Sequence, residues 1–181
     1  MSLSDLSGYV SGLIVEDGSG KTDADSYVSV TDADIYVTDR YTAASTWLDL
    51  TEDQKEAFLR RACQFLDSYF RGKWKGVKRT STQSLAWPRA SVLDEEGYLI
   101  ADDSVPPVVI EAQIESALIL HGGYDLQAVL SGTGTVTRQK VGEIEVEYDG
   151  NVSIYAGRTK APKIMEMLSG VITSGGRVYL A

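Results

Sequence analysis

The chain has 181 residues, 43% of them hydrophobic, and a formal net charge of −9. That length suits one domain with a real core, with or without arms, and is too short for two full-sized domains. The single cysteine, Cys63, excludes an intramolecular disulfide and fits a reducing site of synthesis; the richest apolar run, "VVIEAQIESALIL", is broken by two Glu and a Gln, so no membrane span is expected.

Taken in chain order, the opening "MSLSDLSGYVSG" has neither a cationic start nor an apolar stretch. It reads as a flexible arm and not as a signal peptide. A short apolar run then meets a Gly-rich turn at Asp17–Gly20, and "SYVSV" alternates as an extended segment does. Thr31 as N-cap, with Asp32 and Asp34 in the first turn, predicts a short helix over about 32–40. Thr51 and Gln54 make a capping box. Behind it Phe58, Ala62, Phe65, Leu66 and Tyr69 share one helical face. Glu52, Asp53 and Glu56 lead this helix and Arg60, Arg61 and Arg71 trail it, as the dipole favours; Glu56 and Arg60 form an i,i+4 pair, and Gly72 is the expected stop.

Residues 72–105 are long and irregular, and a loop of that length either carries function or packs on its own side chains. Pro106 and Pro107 open a helix over 107–121. Its apolar set, Val109 or Ile110, Ile114, Ala117, Leu118 and His121, lies on one side, and Gly122–Gly123 ends it. "YDLQAVL" can add two turns, and "SGTGT" reads as a linker. Asp149–Gly150 is a type I′ turn signal that sets Ile144, Val146 and Tyr148 against Val152 and Ile154. Glu143, Glu145 and Glu147 then occupy the opposite face: a wet face or, in a ring, one wall of a channel. "APKIMEMLSGV" reads as a short helix from Pro162, and "GRVYLA" as a terminal strand. The expectation is a mainly α chain: a small bundle of about four helices with a protruding β-hairpin and extended arms. Its organisation is an arm over 1–12, a helical core over 13–130 carrying the 72–105 loop, a linker and hairpin over 131–160, and a helix and tail over 161–181.

Catalytic chemistry finds little support. The lone histidine, His121, ends a helix and reads as a capping or packing residue; Cys63 reads as a small semi-buried hydrophobe. No nucleophile elbow, phosphate loop or dinucleotide fingerprint is present. Counted from Asp17, "DGSGKTDADSYV" has Lys21, Thr22 and Val28 at the fifth, sixth and twelfth positions and fails as a calcium loop. Neither enzyme activity nor a metal or cofactor is expected.

One stretch stands out. "RGKWKGVKR" carries Arg71, Lys73, Lys75, Lys78 and Arg79 around Trp74 with no acid. Residues 60–79 have a net charge of +6, against −9 for 1–59 and −6 for 80–181. Cations around an aromatic suit single-stranded nucleic acid. The alternative is that the segment pairs with acids of this chain or of a neighbouring copy, or makes a protein contact. Trp87 and Arg89, in "LAWPRAS", are either a core plug or interface anchors.

In order along the chain stand "LIVEDGSG", "DADSYVSV", "FLDSYF", "KWKG", "QSLAWPR", "DEEGYLI", "VPPVVIEA" and "KVGEIEVEY". Over about residues 13–150 this resembles a tailed-phage and prophage family often labelled DnaT-like single-stranded-DNA-binding, whose members look like head–tail adaptor, or head-completion, proteins below the portal. The sequence departs at Ala90, where Gly is common. The resemblance implies a structural virion protein: a mostly helical subunit in a homo-oligomeric ring, twelve-fold like the portal, with DNA passing transiently through the lumen. Its partners would be itself, the portal protein and a downstream tail or head-completion protein, with no membrane. Its place would be the virion neck after synthesis in the host cytoplasm. The interface candidates are Arg71, Lys73, Trp74, Lys75, Lys78, Arg79, Trp87 and Arg89, and the family label itself gives the alternative of a single-stranded-DNA-binding protein.

Overall fold

The computed structural model describes residues 12–41, 46–124, 126, 138–141, 144–147 and 162–173. Among them are helices α1 (Val30–Arg40), α2 (Glu52–Tyr69), α3 (Pro107–His121) and α4 (Pro162–Met167), and strand pairs β1 (Val77–Lys78) with β2 (Arg89–Ala90) and β3 (Arg138–Val141) with β4 (Ile144–Glu147). The fold is mainly α, as the sequence predicts. No described helix is long and apolar enough to cross a membrane.

Helix α1 starts earlier than expected. Ser29, not Thr31, is the N-cap: its extended backbone turns the chain, and its Oγ accepts from the Asp32 N–H at 3.1 Å. Helix α2 follows its sequence closely. Gln54 N–H donates to Thr51 Oγ1 and Thr51 N–H to Gln54 Oε1, closing the capping box. The Glu56–Arg60 pair forms at 3.2 Å, and Arg60 also holds Asp25 at 2.6 Å. The buried stripe is broader than the predicted face. Leu59 and Cys63 are fully buried beside Ala62, Phe65 and Leu66, whereas Phe58 and Tyr69 are only half-buried.

Helix α3 has the predicted bounds but not the predicted single face. Val109, Ala112, Gln113, Ile114, Glu115, Ser116 and Ala117 are all buried, because this helix lies between two parts of the core. A helix covered all round needs apolar or bonded residues on every side. One part gathers Val28, Ala33, Tyr36, Val37, Trp47, Leu59, Ile114 and Ala117. The other gathers Tyr27, Phe65, Leu66, Phe70, Trp74, Trp87, Val92, Val109, Ile164 and Leu168. Helix α4 packs on α3, so the segment expected as a separate C-terminal helix completes the core through Ile164, Leu168 and Val171.

The described hairpin includes a strand upstream of the predicted pair. Strand β4 pairs antiparallel with β3, upstream, with Arg138 opposite Glu147, Gln139 opposite Val146, Lys140 opposite Glu145 and Val141 opposite Ile144. Gly142 and Glu143 separate the two strands in sequence. The predicted Asp149–Gly150 turn with its 152–154 strand, all but the last residue of the 1–12 arm, the 131–135 linker and the terminal "GRVYLA" lie outside the described residues, as does most of "YDLQAVL".

Candidate functional site

The Arg71–Arg79 segment leaves α2 through Gly72, whose φ of +78° opens into free space. It is then tied to the C-terminal region. Lys75 N–H donates to Val171 O at 3.0 Å, Thr173 N–H donates to Lys73 O at 2.7 Å, and Trp74 bridges Ile172. Gly76 sits at φ +64°, where a Cβ would fall 2.2 Å from Ala90 O, so the β1–β2 crossing requires glycine there.

None of the five cations in the segment forms an ion pair among the described residues. Three of them are engaged by main-chain oxygens. Lys75 Nζ donates to Gly170 O at 2.6 Å and Leu93 O at 3.3 Å. Lys78 Nζ donates to Gln83 O at 3.1 Å, and Arg79 Nη1 to Gly18 O at 2.8 Å and Asp102 O at 3.4 Å. Among the described residues, capping of loop carbonyls takes the place of pairing with acids. Such charge-assisted bonds are worth about 1.5–3 kcal/mol each when shielded from water, and less at an exposed site. Arg71 and Lys73 remain exposed, with Lys73 Nζ 4.2 Å above the Tyr69 ring.

The aromatics are not at the surface. Trp74 is 2% exposed and Trp87 fully buried, and their rings meet edge-on at 5.9 Å. Neither indole N–H has an acceptor among the described residues, so area and ring contact hold the pair. Of the two readings open for Trp87, the core plug is the one its burial fits, and Trp74 cannot stack on a base from where it sits. Arg89 is also buried: its Nε donates to Lys75 O at 2.6 Å, Nη2 to Gly76 O at 2.8 Å and Nη1 to Ala86 O at 3.1 Å. It staples the basic segment from below and presents no charge outward.

The turn before it is equally bound. Thr80 and Gln83 exchange side-chain-to-backbone bonds at 2.8 and 3.1 Å, and Gln83 Nε2 donates to Leu85 O and Pro88 O, both at 3.0 Å. The Trp87–Pro88 peptide is cis. Tyr27, Asp67 and the 84–87 backbone form the support missed in the sequence. Tyr27 Oη accepts from Ala86 N–H and Trp87 N–H at 3.0 and 3.2 Å and donates to Asp67, which itself accepts from Ala86 N–H at 2.7 Å. Burial pushes the Asp67 carboxyl above its ordinary range, although the Tyr27 and Ala86 donors oppose the shift.

Two more buried polar residues escaped the sequence reading. Gln113 Oε1 accepts from Tyr27 N–H at 2.8 Å, while its Nε2 donates to Ser26 Oγ at 2.7 Å and Leu59 O at 3.0 Å. Glu115 accepts from Tyr36 Oη at 2.9 Å and Tyr41 Oη at 2.8 Å, and pairs with Lys163 at 2.7 Å. Burial alone would raise the Glu115 carboxyl; Lys163, Tyr41 and Tyr36 outweigh it and hold the group below its ordinary value. The signal for both was there: a Gln and a Glu in the middle of "VVIEAQIESALIL" must be bonded if the helix is buried.

His121 packs edge-on against Phe58 and Trp47, with Nε2 2.7 Å from Thr46 Oγ1. Cys63 is buried, which pushes its thiol well above the ordinary value. The 17–21 turn encloses an anion, not a cation. Glu16 Oε1 accepts from Gly18 and Gly20 N–H, and Oε2 from Lys21 N–H, at 2.8–2.9 Å. Of the hairpin candidates, Glu145 and Glu147 lie on β4, and Glu143 lies outside the described residues. Among the described residues no three His, Cys, Asp or Glu side chains converge as a metal site.

A family model described as "putative DnaT-like ssDNA binding protein" matches residues 11–180. No curated protein and no solved structure matches the chain significantly.

Proposed function

Because the chain belongs to this DnaT-like family along nearly its whole length, we propose that it works at DNA as a structural subunit: a head–tail adaptor of a tailed phage. It assembles in a ring below the portal and lets DNA pass. The observation that carries this reading is the fate of the basic segment. Trp74, Trp87 and Arg89 are core, and Lys75, Lys78 and Arg79 hold loop carbonyls. A single-strand site needs an exposed aromatic among free cations, and this segment does not offer one. A net charge of −9 also suits a surface past which phosphates slide without being gripped. The sequence resemblance through "QSLAWPR" and "KVGEIEVEY" supports the adaptor role. Its test is electron microscopy of the protein mixed with portal protein. Rings with rotational symmetry on the portal are expected; a chain that stays monomeric and never decorates the portal overturns the reading.

The second reading, single-stranded-DNA binding, is the one the family description favours. Arg71 and Lys73 are exposed, and Tyr98 and Tyr124, 73% and 63% exposed, could stack on bases. It requires oligonucleotide binding that weakens steeply with salt and is abolished by reversing the charge at Arg71 and Lys73. Absence of binding at low ionic strength eliminates it.

A further inference from the structure

Residues 92–100 form a small protruding hairpin. Ile100 N–H donates to Val92 O and Asp94 N–H to Tyr98 O, both at 2.9 Å, and Leu93 bridges Leu99. Val92 and Ile100 root it in the core, while Leu93, Tyr98 and Leu99 are 50%, 73% and 70% exposed. Between this hairpin, the start of α3 and the end of α4 lies a groove of about 540 Å³. Its apolar surface includes Val108 and Met167, and its rim carries Asp94, Glu95, Glu96 and Glu166. No lysine or arginine lines it. Lys75 stands beside it with its ammonium committed to Leu93 O and Gly170 O.

Four carboxylates around an apolar groove repel phosphate and select a segment that is both apolar and cationic. This chain has such a segment close by. Arg71 and Lys73 are exposed without ion pairs among the described residues, and Val77 on β1 is 63% exposed. Trp74 is buried and Lys75 ties the segment to its own fold, so what the segment can offer another molecule is its exposed face, Arg71, Lys73 and Val77. We propose that the acid-rimmed groove receives the exposed face of this segment, Arg71, Lys73 and Val77, from a second copy. The inference rests on the reading that copies assemble with one another, and it names the surface that accepts the basic patch.

The test uses the full chain with two charge-reversed variants, Glu96→Lys/Glu166→Lys and Arg71→Glu/Lys73→Glu. All four side chains are exposed, and circular dichroism and thermal melting check that the fold is kept. In sedimentation velocity the wild type is expected to self-associate at about 0.1 M salt and to weaken at about 1 M, where charges are screened within about 3 Å. Each variant alone is expected to associate about tenfold or more weakly, since like charges then face each other. Mixed in equal amounts they should associate again, because the reversed rim meets the reversed segment. Wild-type association that neither variant weakens overturns this inference and leaves self-assembly standing. Loss in each variant with no recovery on mixing also overturns it. A wild type that never associates removes both.

Discussion

Around Trp47 the core is built by helices; around Trp87 it is built by irregular chain, and the polar groups show what the second arrangement requires. In the first region α1, α2 and α3 satisfy their own backbone, and side-chain bonds serve to join one helix to another. Asp34 of α1 accepts from Trp47 Nε1 and from Lys55 of α2, and Glu115 gathers Tyr36, Tyr41 and Lys163. In the second region the chain from Lys73 to Val92 has two short strands and little else to occupy its carbonyls. Buried carbonyls cannot be left empty, and Arg89, Gln83 and Lys78 fill them, while Lys75 and Arg79 fill those of the segments packed alongside. The density of positive charge in "RGKWKGVKR" is therefore largely a cost of burying a loop. A cluster of cations in a sequence marks a partner only after the chain's own carbonyls have been counted.

The contrast can be broken by three measurements. Trp87→Ala should be the most damaging change. If the irregular region is true core, urea unfolding will show a loss of about 3–5 kcal/mol; a surface loop would show about 0.5 kcal/mol or less. Arg89→Met should come next, at about 2–3 kcal/mol, because three carbonyls lose a charged donor. Hydrogen exchange sharpens that result: amides over 75–90 should open while those of α2 and α3 stay protected. Equal loss of protection everywhere would show that the two regions do not differ.

The smallest effect, about 1–2 kcal/mol near neutral pH, is expected for Glu115→Gln, and here the pH dependence is the useful reading. The folded state holds the Glu115 carboxyl below its unfolded value. It therefore stabilises above the ordinary carboxylate range, and that contribution is lost as pH falls through the lowered folded value. Removing it should flatten the acid limb of the stability profile. Asp67, whose carboxyl is raised by burial, works in the opposite sense. Its folded state holds the proton longer, so stability declines as pH rises from the unfolded value through the raised folded one, and Asp67→Asn should abolish that decline. The two carboxylates mark the two regions, and acid limbs that move the same way in both variants would contradict the assignment.

Much of the helical region was legible because its signals are local. Thr51 and Gln54 are three residues apart and meet whatever the rest of the chain does. Pro106–Pro107 and Gly122–Gly123 bracket α3 at its actual ends. Where two local signals competed, contact geometry chose Ser29 over Thr31 as the cap of α1. The basic segment was visible as composition but not as structure. Nothing within nine residues tells that Lys75 reaches Gly170, ninety-five positions away, or that Arg79 reaches Gly18.

By itself, then, the sequence determined the mainly helical class, the starts of α2 and α3, the end of α3, and the place where charge concentrates. Periodicity, capping and proline act over one or two turns, and their outcome is fixed before the chain folds up. Tertiary structure alone decided that both tryptophans of the loop are core, that most of its cations hold carbonyls, and that an acidic apolar groove opens beside it. Those outcomes depend on residues far apart in sequence being brought together, and on which polar groups are then left for water.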